Sequence, residues 1–248
     1  MEKSALEKAQ KRNAGKTVES YLFSSDKERI VDLLMKMGFK SAVALKSAVD
    51  ALVAEDVDLA NSIIEGDDEI DAMESEIDLE CLRSVAMRQP VREDLRFIFA
   101  VFKTIIDLER IGDQSVNVAK WVITLKKYPK TEINPAIIEM TDLAEAMLKD
   151  VLEAFKTSNG DACMEIYRRD DALDKKYTEV FNEFIERMAS YKSGDTNIVR
   201  AVAGQMWIAR HLERVGDHVT NIAERVYFMD KGETLSCHKP EPFKFPLG

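Results

Sequence analysis

Leu108–Ala119 reads L-E-R-I-G-D-Q-S-V-N-V-A, and Leu212–Ala223 reads L-E-R-V-G-D-H-V-T-N-I-A. The second stretch repeats the first at an offset of 104 positions, and the match continues upstream. G-D-D-E-I-D ending at Asp71 returns as R-D-D-A-L-D ending at Asp174, and Asp94-Leu95-Arg96 is echoed by Ile198-Val199-Arg200. Self-similarity at a fixed period marks a duplicated structural unit. Both stretches are free of proline and place apolar residues at helical spacing, so the unit is helical.

The prolines confirm this outward from the repeat. They fall at Pro90, Pro129, Pro135 and in the tail at Pro240, Pro242 and Pro246. The long intervals between them lack the strongest helix breaker. Breaks at Glu55 to Asp58, Gln89-Pro90, Tyr128 to Pro135, Ser158-Asn159-Gly160 and Ser193-Gly194 leave six amphipathic segments. Short connections make successive helices antiparallel neighbours. The expected architecture is all-α: two tandem three-helix bundles at residues 26–130 and 131–231, with a leader at 1–25 and a tail at 232–248. The leader is rich in Lys, Glu and Ser and is expected to be frayed or ordered by a partner. The tail cannot continue a helix, and its Cys237-His238 pair is read as an accident of sequence.

Of 248 residues, 46% are hydrophobic and 32% charged, enough to bury a core. The 45 acidic and 35 basic residues leave a net charge of -10, which argues against a nucleic-acid-binding surface. No apolar run reaches the roughly 18 residues that span a bilayer, and the first residues lack a signal-peptide core, so a cytoplasmic location is expected. Cys81, Cys163 and Cys237 are odd in number and widely spaced. They suggest neither disulfides nor a thiolate metal site.

Chemistry concentrates on carboxylates. Glu109 with Asp113 and Glu213 with Asp217 sit four apart on the third helix of each repeat, hence one turn apart on one face. The second helix carries a matching pair, Asp67 with Asp71 and Asp170 with Asp174. Asp67 lies in line with Ile63, Ile70 and Ile77, and Asp170 with Ile166, Leu173 and Tyr177. Glu109 falls within the arc of Phe102, Ile105, Ile106 and Val116. Carboxylates on faces that otherwise point inward need compensation. A hard or borderline cation supplies it: magnesium, manganese, iron or zinc, divalent or trivalent, with more than one ion per site. The plainer alternative pairs Arg110 with Asp113 and Arg214 with Asp217, which leaves the other carboxylates without partners. Asn117 and Asn221, one turn on, are either ligand-supporting amides or exposed polar residues. His218 has no counterpart at Gln114 and is read as solvated or capping. Gly112 and Gly216, costly inside helices, point to close helix approach or access to the site.

At these residues the sequence resembles the PhoU family, through E-R-I-G-D and E-R-V-G-D, D-D-E-I-D and D-D-A-L-D, and the run Q-P-V-R-E-D-L-R from Gln89. The likeness spans about residues 27–230. It implies metal clusters held by Asp67, Asp71, Glu109 and Asp113 in the first bundle and by Asp170, Asp174, Glu213 and Asp217 in the second. It further implies a negative regulator of phosphate uptake and starvation signalling, not an enzyme. Contact with a phosphate ABC transporter and a sensor histidine kinase, and a homodimer, belong to the same expectation. The leader departs from the family's usual short start. Three rivals stand beside this reading: a carboxylate-bridged di-metal oxidase, a metal-free helical scaffold, and the cytoplasmic end of a sodium-phosphate cotransporter. The first is disfavoured because no His follows a Glu by three. The last is disfavoured by the lack of a membrane span.

Overall fold

A computed structural model describes the backbone of residues 2–192 and 195–235, with side chains from residue 23 onward. Ser193-Gly194, Cys237 and His238 lie outside the described residues. The helices are α1 (Glu2–Ala54), α2 (Val57–Glu65), α3 (Asp67–Arg88), α4 (Glu93–Leu125), α5 (Pro135–Thr157), α6 (Cys163–Ser190) and α7 (Thr196–Lys231). A single 3-10 turn, Gly160–Ala162, precedes α6, and no strand occurs among the described residues.

Local chemistry sets most boundaries. Glu55 takes φ 55°, and the Asp56 carboxylate then accepts from the Leu59 N–H to cap α2. Gln89 ends α3 in the left-handed region ahead of Pro90. Asn134 caps α5 with Pro135 in its first turn, a position where the missing N–H costs nothing. Ser158 closes α5 in the left-handed region.

Two features depart from the sequence reading. The leader is continuous with α1, because its Ala, Glu, Lys and Leu content favours helix and no proline interrupts it. The second helix of the first repeat is divided at Gly66, a residue of weak helix propensity that caps α2 through its N–H to Ser62 O.

The first and third helices of both repeats, α1, α4, α5 and α7, form a shared inner layer, with α4 packed on α7 and α1 on α5. The second helices lie outside: α3 packs against α1 and α4, and α6 against α5 and α7. Leu108, Ile111 and Val118 of α4 and Leu212, Val215 and Ile222 of α7 are fully buried in one continuous core. Each such side chain contributes about 1.5–3 kcal/mol by leaving water. Gln205 holds the connection between repeats: its Oε1 accepts from the Asn134 N–H, and its Nε2 donates to Thr131 Oγ1 and Glu132 O, each at 3.0 Å. This arrangement places the α3–α4 and α6–α7 seams on the two outer flanks.

Candidate metal centres

The first seam brings together Asp67 and Asp71 of α3 with Glu109 and Asp113 of α4. Close approach is possible because Gly112 lacks a side chain: a Cβ there would stand 3.0 Å from Ile70 Cδ1 and 3.3 Å from Asp67 Oδ1. Burial, followed by the charges of Asp71 and Asp113, raises the Asp67 carboxyl above its usual range. Burial likewise raises Glu109, with Asp113, Glu74 and Asp71 adding to it, to about 7.

The second seam is the tighter copy. A Cβ on Gly216 would fall 2.5 Å from Asp170 Oδ1 and 2.6 Å from Leu173 Cδ2, so the Asp170 carboxylate occupies the cradle that the glycine leaves. Burial and the neighbouring Asp174, Asp217 and Glu213 raise Asp170 to about 8. Burial also raises Asp174, and it raises Glu213 to about 7 against the opposing charge of Arg210. Asp170 Oδ1 and Glu213 Oε2 are buried without a hydrogen-bond partner. Arg210 pairs with the other Glu213 oxygen and lies over the Tyr177 ring, 5.7 Å from its centre.

All eight carboxylates read from the sequence therefore border one of two seams. They line each seam rather than close round a point: among the described residues, no three His, Cys, Asp or Glu side chains are placed to grip a single ion. Both glycines serve close helix approach, the first of the two roles considered for them, and the space they leave is bordered by a carboxylate oxygen. Neither Arg110 nor Arg214 forms an ion pair with Asp113 or Asp217 among the described residues, so the salt-bridge alternative does not hold in that form.

Sequence reasoning missed Glu74, Arg210 and the true place of His218. Glu74 continues the Asp67, Asp71 stripe by three residues and its charge acts on Glu109; its counterpart in the second repeat is Tyr177. Arg210 stands three residues before Glu213, where the first repeat has Ile106. His218 is neither solvated nor a cap: it is buried between α4 and α7, with Nδ1 3.0 Å from Asp107 Oδ1. Asn221 Nδ2 donates to the same oxygen at 3.1 Å, so this amide serves the contact between repeats. Cys81 and Cys163 are buried thiols raised by burial to about 12, consistent with inert packing.

Two matched carboxylate seams on a duplicated three-helix unit define a tandem-bundle protein whose two sites are variants of one design. The PhoU domain model matches residues 34–122 and again 137–226. The chain belongs to the PhoU family. It is 32% identical over 226 residues to the "Phosphate-specific transport system accessory protein PhoU homolog" of Caulobacter vibrioides, covering 91% of this chain and 96% of that one. It is 33% identical to the phosphate-specific transport system accessory protein PhoU of Escherichia coli, covering 85% of this chain and 86% of that protein. The crystal structure of PhoU from Pseudomonas aeruginosa superposes with a TM-score of 0.79 at 33% identity, over 85% of this chain and all of that one. The phosphate transport system regulatory protein PhoU from Streptococcus pneumoniae does so at 0.80 and 29% identity, over 87% of this chain and all of that one. No helix among the described residues is long and apolar enough to cross a membrane.

Proposed function

We propose that this chain is a metal-binding cytoplasmic regulator that represses phosphate uptake and phosphate-starvation signalling by binding a phosphate ABC transporter and a sensor histidine kinase, as a homodimer and without catalysis of its own. The observation that carries the metal reading is the pair of buried, unpartnered oxygens, Asp170 Oδ1 and Glu213 Oε2, in a seam whose other donors are also carboxylates. An ionised carboxylate oxygen out of water and without a donor is costly, and a cation relieves that cost. All-oxygen donors suit magnesium, manganese, iron or zinc. Asp67, Asp71, Glu109 and Asp113 would hold metal in the first seam, and Asp170, Asp174, Glu213 and Asp217 in the second. A bound metal would supply positive charge that offsets the carboxylates of the seam. The chain's own residues do the rest: the glycines admit the carboxylates, and the raised Glu109, Asp170 and Glu213 would give up protons to a cation.

A regulator that makes no bond acts by binding one state of its partner better than another. The transporter role follows the names of the relatives; the kinase role follows the family resemblance. Transcript measurement in a deletion strain tests the regulatory reading: starvation genes stay on in phosphate-replete cells. Normal repression without the gene would refute it. For the metal reading, Glu109→Ala with Asp113→Ala, and separately Glu213→Ala with Asp217→Ala, each remove about half the metal found by elemental analysis of protein purified without chelator. Equal metal content in all three proteins would overturn the ligand assignment.

A further inference from the structure

Among the exposed apolar side chains, which also include Phe39 of α1 and Trp207 of α7, several lie on the adjoining helices α3 and α4. Leu79 and Leu82 of α3 and Leu95, Phe99 and Ile106 of α4 are 44–64% exposed. They share the seam that carries the first carboxylates. The two helices run antiparallel with Asp67 against Gly112 and Glu74 acting on Glu109. Continued along the pair, that register sets Leu82 beside Phe99 and makes a single strip leading from Glu109 toward the α3–α4 connection. The duplication provides an internal comparison. The corresponding positions of the second repeat hold Asn182, Ile185, Val199, Ala203 and Arg210. Three of these are polar or small, so the helical unit does not itself require an exposed apolar strip here.

We propose that this strip is the docking groove for residues 236–248 of the same chain, S-C-H-K-P-E-P-F-K-F-P-L-G. The place where the described chain ends favours this occupant. Gly232 closes α7 at φ 77° directly against the Arg96 guanidinium, a Cβ there standing 3.2 Å from Nη1. Arg96 is the neighbour of Leu95, at the apolar end of the strip, and Leu235 packs against the core. Reach is ample: the 13 residues can extend about 40 Å, whereas the helix from Leu95 to Ile106 rises only about 17 Å.

The chemistry also matches. In an extended chain, Phe243, Phe245 and Leu247 fall on one side, presenting two rings and a leucine to the strip. Lys239 and Lys244 outnumber the single acidic side chain of the segment, Glu241, and meet a seam bordered by Glu74, Asp78 and Glu109. Three prolines limit the freedom lost on docking. Tethering a segment beside its site gives a local concentration in the millimolar range, so a modest affinity suffices. The docked segment is then an internal competitor for any partner that uses this face. The proposal stands independently of whether the seam binds metal.

The test uses the full chain throughout. Replacing Phe243, Phe245 and Leu247 together with Ser should raise the fluorescence of an apolar-surface dye several-fold and speed hydrogen exchange in the second half of α3 and the first turns of α4. Adding Leu82→Ser and Phe99→Ser to that variant should cancel the dye signal. A synthetic peptide of residues 236–248 should bind the triple-serine chain and bind the wild type at least tenfold more weakly. Unchanged dye and exchange signals in the triple variant would overturn the proposal. So would equal peptide binding to both chains, or protection of the strip that rises with protein concentration regardless of the tail, the mark of a second copy.

Discussion

Asp170 shows most directly what a single residue contributes to this fold. It lies in the cradle left by Gly216, and the same two residues decide both packing and charge. Ala is favoured over Gly within a helix by about 1 kcal/mol. Gly216→Ala is nevertheless expected to lose about 1–2 kcal/mol in urea unfolding, because its methyl would displace Asp170 and Leu173 from a packed seam. Gly112→Ala, whose nearest contacts are at 3.0 and 3.3 Å, should be close to neutral. Equal effects at the two glycines would contradict this difference in space. The charge carries a second expectation. Burial and its acidic neighbours raise Asp170 from 3.8 to about 8, so between those values the native chain holds a proton that the unfolded chain has released. Unfolding then releases a proton, and the stability of metal-free protein falls as pH rises through this window. Asp170→Asn removes the penalty. With chelator present it should gain about 2 kcal/mol over wild type near pH 8, less than the full shift implies because residual solvent screens the charge. The gain should shrink toward pH 5, and thermal melts at several pH values would show a flat difference if the seam were fully solvated.

Among the elements, the crossing of α4 and α7 is where sequence reading fell short. Most helix breaks and all four carboxylate pairs were legible because each is written in local spacing: Gln89 before Pro90, Tyr128 to Pro135, Glu109 and Asp113 four apart. The crossing depends on residues 97 and 111 positions apart. Comparing Gln114 with His218 as equivalent sites made the histidine look like an unmatched replacement. In three dimensions the helices meet antiparallel, and each copy reaches the other's second position: His218 meets Asp107, while His211, the counterpart of Asp107, meets Gln114 at 2.8 Å. No periodicity announces such reciprocal pairing. Gly66 is another instance, since a lone glycine in a helical run does not reveal whether the helix is divided there. Asp107 should therefore be the costliest polar residue of the crossing. Asp107→Ala leaves His218 and Asn221 without their shared acceptor and is expected to cost about 2–4 kcal/mol. Asp107→Asn keeps an acceptor oxygen and should cost less than half as much. Chemical denaturation of the two variants decides the matter, and identical losses would mean that the hydrogen bonds contribute little beyond shape.

For the whole molecule, the decisive fact is that the two repeats do not bury their interiors separately. The spans 26–130 and 131–231 were read as two three-helix bundles, and three long amphipathic segments in each suffice in principle for a separate core. The structure instead places the third helix of each repeat against that of the other and joins their apolar residues in one core. Gly38 of α1 faces Leu152 of α5 so closely that a Cβ would stand 2.6 Å from Leu152 Cδ2, which extends the shared surface to the first helices. Separating the halves would expose Leu108, Ile111 and Val118 on one side and Leu212, Val215 and Ile222 on the other, together with the Asp107 and Gln114 hydrogen bonds. Local helix formation survives such a loss better than specific packing does. Each half expressed alone should thus show helical circular dichroism but a broad, weakly cooperative melt. Mixing the halves in equal amounts should restore one sharp transition that moves upward with concentration, as expected when association stabilises the folded form. Melts recorded on each half and on the mixture at two concentrations make the comparison. If either half alone melts as sharply as the intact chain, the repeats are independent domains and the shared inner layer is not what holds the two seams in place.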